Sequence, residues 1–290
     1  MPTPRPPSSS SFLPFFLLFI SFFPATIRSA SSYSFIYGGC SQQRYFTPSP
    51  YQSNLDSVLA SLANAAFSDL YAHFTVGKDG DPTTITGLFQ CRGDLTAGGG
   101  DCSHCVQDAI GQLHPLCPQA CGASLQLDSC FVKYDNATFL GVLDTTLIYK
   151  KCSSSAANAY DSDFLGRRDD VLRQLSSGGS YFRTASSSGF VLGEAQCLGD
   201  LSSGDCTQCV TEAVERLREV CGSALSGDVY LGKCYARYSS AGLYSHASHD
   251  SQGGDEAGKT LAIIIGLFAG VALIIVFLSF LRKVCSGKGY

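Results

Sequence analysis

The chain has no tryptophan, one methionine, five histidines and only 15% charged residues among its 290. His73, His104, His114, His246 and His249 are scattered, and no serine or cysteine stands in a nucleophile motif. Catalysis of the triad kind is therefore excluded, no metal or cofactor set is apparent, and the chain does not read as an enzyme. Positive charge is scarce between residues 31 and 258, which hold all 24 acidic residues but 14 of the 20 Lys and Arg, a net −10. Nucleic acid is a poor partner for such a surface. Charge is missing altogether from Leu261 to Leu281 (LAIIIGLFAGVALIIVFLSFL), and the nine residues after it, 282–290, cannot hold a kinase or another folded signalling module.

Cysteine is the residue in excess, with 14. That many thiols point either to an oxidising compartment or to metal, and the ends of the chain decide between them. Arg5 and a Pro/Ser stretch lead into the apolar run Phe12–Phe23, followed by small residues, as in a secretory signal cleaved near Ala30 to Ser32. At about 1.5 Å per residue, the uncharged run 261–281 is long enough to span the hydrocarbon core as a helix. Lys259 precedes it, and Arg282, Lys283 and Lys288 follow it. The positive-inside rule then places the tail in the cytoplasm, giving type I topology and one membrane span. Ala262, Gly266 and Gly270 recur every four residues, a small-residue face suited to helix association. Cys285, just past the span, is a palmitoylation candidate.

Between the ends the chain repeats itself. Ile36-Tyr-Gly-Gly-Cys40-Ser41 echoes Ile148-Tyr-Lys-Lys-Cys152-Ser153, and Gly100-Asp-Cys102-Ser-His-Cys105-Val106 echoes Gly204-Asp-Cys206-Thr-Gln-Cys209-Val210. Cys117 and Cys130 match Cys221 and Cys234 at the same offset. The expected layout is a signal peptide (1–31), two copies of one domain (32–145 and 146–240), a polar stalk (241–258), a transmembrane helix (259–281) and the tail. Each copy reads as α+β: an antiparallel sheet with two helices. Leu55, Val58, Leu59, Leu62, Ala65, Ala66 and Leu70 predict a helix over about 52–73. Cys102, Cys105, Val106, Ala109, Ile110, Leu113, Leu116 and Cys117 form a second stripe, repeated by Cys206 to Cys221. Strands are expected over 83–91, 125–134, 142–149, 189–196 and 229–238.

The spacing Cys197-x8-Cys206-x2-Cys209-x11-Cys221-x12-Cys234 resembles the plant ginkbilobin-like, or stress-antifungal, cysteine-rich domain. Copy one carries a looser version, with ten residues between Cys91 and Cys102. Tandem domains followed by a transmembrane helix and a short tail are similar to the plasmodesmata-located proteins. That resemblance implies plasma-membrane residence at plant cell-to-cell channels, the ectodomain in the apoplast, and regulation of traffic through them. It also implies assembly with itself or related membrane proteins, and a protein or wall-glycan ligand. A defence lectin or sensor that binds a wall or microbial glycan is the alternative.

The resemblance further implies three bridges per copy: Cys40–Cys117, Cys91–Cys102 and Cys105–Cys130, then Cys152–Cys221, Cys197–Cys206 and Cys209–Cys234. A zinc site would need the two CxxC pairs to converge and would leave the other cysteines unexplained, so disulfides are the better reading. Cys121 is left over, either as an intermolecular bridge or as a buried inert thiol. A mannose-binding relative uses an Asn, an Arg and a Glu at positions held here by Ser41, Ser124 and Asp135 in copy one and Ser153, Asp228 and Ser239 in copy two. Only Asp135 keeps an acid, so that binding is not carried over. Asn136-Ala-Thr138 is an N-glycosylation sequon.

Overall fold

A computed structural model describes residues 33–78, 80–154, 162–188 and 190–240. The signal segment, the stalk, the membrane span with Ala262, Gly266 and Gly270, and the tail with Cys285 lie outside the described residues. Among the described residues no helix is long and apolar enough to cross a membrane.

The first copy contributes β1 (Phe35–Cys40), α1 (Pro50–Ala65), β2 (Tyr71–Val76), β3 (Ile85–Cys91), α2 (Asp101–Leu116), β4 (Gly122–Leu127) and β5 (Cys130–Asp135). The second repeats the order with β6 (Leu147–Cys152), α3 (Ser162–Ser177), β7 (Phe182–Ser187), β8 (Val191–Cys197), α4 (Ser203–Cys221), β9 (Ser226–Leu231) and β10 (Cys234–Ser240). Each copy folds its strands into one five-stranded antiparallel sheet, ordered β1-β4-β5-β3-β2 and β6-β9-β10-β8-β7. Two helices cover one face of each sheet, so the molecule is two tandem α+β domains.

Local sequence explains the helix starts. Ser49 caps α1, its Oγ accepting from the Gln52 N–H at 3.2 Å, and Pro50 sits where its missing N–H costs nothing. Ser202 caps α4 in the same way, accepting from the Asp205 N–H at 3.1 Å. The helices then approach their sheets closely over a glycine. A Cβ at Gly87 would stand 2.4 Å from Val58 Cγ1 and 3.1 Å from Leu62 Cδ1; one at Gly193 would meet Val171 Cγ1 and Leu175 Cδ1 at those same two distances. The repeat is thus conserved between copies down to which methyl groups fill the space a side chain would take.

Several boundaries differ from the sequence reading. The helix expected over 52–73 ends at Ala65, because Ser68 and Asp69 bond locally to the Ala65 carbonyl and Tyr71–Val76 pairs with β3 instead. The stretches 125–134 and 229–238 are each two strands, turning at Asp128-Ser129 and Gly232-Lys233. The strand expected from Val142 starts only at Leu147, since the residues before it form the connection between domains, with the Thr146 N–H bonded to Asp144 Oδ1. The strands expected at 83 and 189 begin at Ile85 and Val191. Strands β1, β2 and β7 have no counterpart in the sequence reading, and helix α3, implied by two helices per copy, has no residues assigned there.

Among the described residues six disulfides fasten helices to strands: Cys40–Cys117, Cys91–Cys102 and Cys105–Cys130 in the first domain, Cys152–Cys221, Cys197–Cys206 and Cys209–Cys234 in the second. Cys121 is buried and free. Burial, with Asp135 adding to it, raises its thiol pKa, which keeps it a neutral packing group.

The two sheets meet through the faces that carry no helix. Gln90 and Gln196, equivalent residues before equivalent cysteines, cross the seam in opposite directions. Gln90 Oε1 accepts from the Gly199 N–H at 2.9 Å, and Gln196 Oε1 accepts from the Gly93 N–H at 3.2 Å. Tyr71 packs over Gly199 as Phe182 packs over Gly93. Leu88, Phe131, Phe139 and Leu198 fill the middle, and Tyr37 stacks with Tyr149 and meets Tyr230 edge-on at 5.6 Å. Lys233 forms an ion pair with Asp200 inside this shell, their side chains only 3% and 4% exposed. The Lys233 ammonium also donates to the Phe139 carbonyl, and Asp200 accepts from the Gly141 N–H. The end of the first domain is therefore clamped by a charge pair of the second.

Candidate functional site

The helix-free face of each sheet runs on past the seam, and there the two domains part company. Successive side chains along a strand alternate between faces, so every second residue of β10 points away from the helices. Arg237 is one of them. In the ladder it lies opposite Glu194 of β8 on one side and Asp228 of β9 on the other, and Asp228 lies opposite Lys151 of β6. The result is a row across four strands, Glu194–Arg237–Asp228–Lys151, with charge alternating in sign. At the same ladder positions the first domain has Leu88–Lys133–Ser124–Gly39.

The row is held from several directions. Arg237 Nε stands 2.8 Å from Glu194 Oε1, both side chains being mostly buried. The Tyr235 hydroxyl donates to Glu194 Oε1 at 3.1 Å. Burial, and secondarily Glu194, raises the Tyr235 phenol pKa far above its ordinary value, so it stays a neutral donor. Burial also raises the Asp228 carboxyl, outweighing Arg237 and Lys151, which pull it down. Beside the row, Thr184, Ser186, Leu192 and Gly193 complete a trough of about 370 Å³ whose wall includes Glu194 and Arg237. Ser239, two residues along β10, has a buried Oγ without a hydrogen-bond partner among the described residues. The arrangement offers fixed donors and acceptors in a shallow polar depression. That suits recognition of a polar ligand and supplies no activated nucleophile.

The sugar-site positions converge as well. In copy one Ser41 and Gly122 exchange hydrogen bonds at 2.7 and 2.9 Å, and Asp135 lies opposite Gly122 in the ladder. In copy two the Ser153 N–H donates to the Ser226 carbonyl at 3.0 Å, Ser226 lies opposite Ser239, and Asp228 is part of the charged row. Three positions meet at one corner of each sheet with side chains unlike the mannose-binding set. Among the described residues no group of His, Cys, Asp and Glu could hold a metal ion. Asn136 stands on the turn after β5 and lines a second trough, in the first domain.

Glu194, Arg237 and Lys151 were missed from the sequence. The repeat offset could have paired them with Leu88, Lys133 and Gly39, marking outward positions where the copies diverge.

Comparison with known proteins gives the family. The family model described as salt stress response/antifungal matches twice, over residues 39–137 and 151–241. Plasmodesmata-located protein 6 of Arabidopsis thaliana is 51% identical over 273 residues, covering 91% of this chain and 93% of the relative. Plasmodesmata-located protein 7 of the same plant is 48% identical, covering 95% and 91%. The crystal structure of the tandem DUF26 ectodomain of the A. thaliana cysteine-rich receptor-like protein PDLP8 superposes with a TM-score of 0.69 at 46% identity, over 72% of this chain and 99% of that one.

Proposed function

Because the chain belongs to the plasmodesmata-located proteins, with their two salt stress response/antifungal domains, we propose that it is a non-enzymatic type I membrane protein of plant plasmodesmata that regulates cell-to-cell trafficking. In this reading the ectodomain faces the apoplast, the helix 259–281 anchors it, and the short tail leaves control to extracellular contacts and assembly with related membrane proteins. The observation that carries the extracellular role is the charged row on the open face of the second sheet. The first domain, built on the same frame, does not repeat it. A surface that only had to fold would show no reason for that difference, whereas a recognition surface would.

The test has two arms. A fluorescent fusion of the full chain is expected at punctate wall junctions, and raising its level is expected to change the spread of a mobile cytosolic reporter between cells. The double variant Glu194→Ala with Arg237→Ala is expected to keep the location and lose the effect on spread. A uniform membrane signal would overturn the location, and an unchanged effect of the variant would overturn the face. The lectin reading draws on the hydroxyls of Thr184 and Ser186 in the trough. Retention of the ectodomain on a wall-glycan array, abolished by the same variant, would favour it.

A further inference from the structure

We infer that Asn136 carries an N-linked glycan whose first sugars lie back in the first domain's own trough, filling it. The sequon Asn136-Ala137-Thr138 sits on an exposed turn, with the Ala137 N–H bonded to Asp135 Oδ1 at 3.0 Å. Phe139, next along, is buried in the seam, its ring faced by the ammonium groups of Lys133 at 4.6 Å and Lys233 at 5.3 Å. The turn is therefore anchored on both sides and holds Asn136 in one place. That place is the wall of a trough of about 550 Å³, between the β2–β3 hairpin and the 136–140 segment. The volume falls within the roughly 300–1,000 Å³ of small-ligand sites.

The lining suits a sugar. Thr75 and Thr86, whose hydroxyls bond each other at 2.8 Å, and the Asp81 carboxylate supply polar contacts; Pro82 and Leu140 supply apolar surface for the C–H face of a ring. Thr83 hydrogen bonds hold the Asp81 carboxyl below the usual carboxylate range, so it stays an acceptor in acid surroundings. The attachment balances as a group transfer from a lipid-pyrophosphate-linked oligosaccharide. The Asn136 amide nitrogen bonds the anomeric carbon and loses a proton, the carbon–oxygen bond to pyrophosphate breaks, and the lipid pyrophosphate leaves. Thr75 and Thr86 correspond to Ser186 and Leu192 in the other trough, so seating the glycan leaves only the second domain's open face free.

The inference needs the secretory route of the proposed function, and the experiment separates the two. The full chain, expressed in plant cells, is expected to gain an oligosaccharide mass that Asn136→Gln removes. A chain cleaved near residue 30 but bare at Asn136 would overturn the glycan and spare the secretory route; an uncleaved, bare chain would sink both. Seating is read from release by a peptide N-glycosidase under native conditions. Thr75→Trp, which crowds the trough, is expected to speed native release about tenfold, the factor that corresponds to about 1.4 kcal/mol of lost seating. Hydrogen exchange over residues 75–86 is expected to rise in Asn136→Gln, a check that does not depend on Thr75→Trp folding well. Equal release rates from a folded Thr75→Trp, or unchanged exchange in Asn136→Gln, would overturn the seating.

Discussion

The first and second domains share strand order, bridges and the glycine under each first helix, yet their surfaces have diverged. Residues 33–145 carry four basic and ten acidic side chains, a net −6, while 146–240 carry ten and eleven, a net −1. The faces turned to the helices keep one buried apolar frame, Val58 and Leu62 answering Val171 and Leu175, although Phe89 stands where the second domain has Ala195; the faces turned away differ in charge. Packing restricts the first set, since a changed volume in a close-packed core is felt at once. Folding restricts the second set only within the seam, so outside it the two domains are free to differ. The same contrast appears in ion pairs. Asp200 and Lys233 are paired under the seam, whereas Asp94, the counterpart of Asp200, is 47% exposed and pairs with Arg92 at 2.6 Å in the open.

The largest effects should come from the bridges, and they should be equal in the two domains. Cys40–Cys117 and Cys152–Cys221 close loops of 77 and 69 residues, worth about 4.5 and 4.4 kcal/mol by loop entropy. Replacing both cysteines of either bridge by alanine is expected to lower the urea midpoint of the secreted 31–258 fragment by similar amounts, and reduction to unfold it. A cost confined to one domain would break the equivalence, and zinc retained at Cys206 and Cys209 would remove the disulfide account altogether.

The ion pairs should then split the domains apart. Asp200→Ala strands a buried Lys233 and is expected to cost about 3–5 kcal/mol, most of it regained when Lys233→Met is combined with Asp200→Leu. Asp94→Ala, at the exposed counterpart, should cost no more than about 1 kcal/mol. Thermal unfolding of the three variants checks both statements, and equal losses at Asp200 and Asp94 would mean the seam does not exclude water. Gly87→Ala and Gly193→Ala come next. Each drives a Cβ into a buried valine, for an expected loss of about 1–3 kcal/mol, again the same in both domains.

How much of this could be read beforehand follows from the same division. Helices α2 and α4 were legible because Cys102, Cys105, Val106 and Ala109 recur at helical spacing and then recur again as Cys206 to Ala213. Helix α3 was not, since Phe164, Val171, Leu172 and Leu175 are diluted by Gly166 and by six charged residues from Asp163 to Arg173. Edge strands such as β1 (FIYGGC) hid for a different reason: two glycines and little burial leave no alternation to see. The seam depends on Gln90 and Gln196, polar residues that in a sequence look like surface. The charged row needs the strand register before its four members become neighbours at all.

The smallest effect, and the one that bears most directly on the divergent faces, belongs to Asp228. Its ladder counterpart in the first domain is Ser124, so one domain buries a carboxyl where the other buries none. Burial raises the Asp228 pKa even though Arg237 and Lys151 oppose it. The sign then follows from linkage. A folded-state pKa above the unfolded value, near 3.9 for a free Asp, means the native state takes up the proton more readily. The ionised carboxylate therefore costs stability above the raised pKa, and that cost fades as the pH falls through it toward the unfolded value. Asp228→Asn keeps the shape and removes the charge, so it is expected to raise the melting temperature at pH 7 and to lose that advantage at pH 4. A variant less stable than the parent at pH 7 would mean that Arg237 needs both of its acidic neighbours and that the row contributes to folding. A gain at pH 7 that vanishes in acid would mean that the second domain retains a buried charge at some cost to its own stability. Selection keeps such a cost where the charge meets something outside the fold, which is the role assigned to this face.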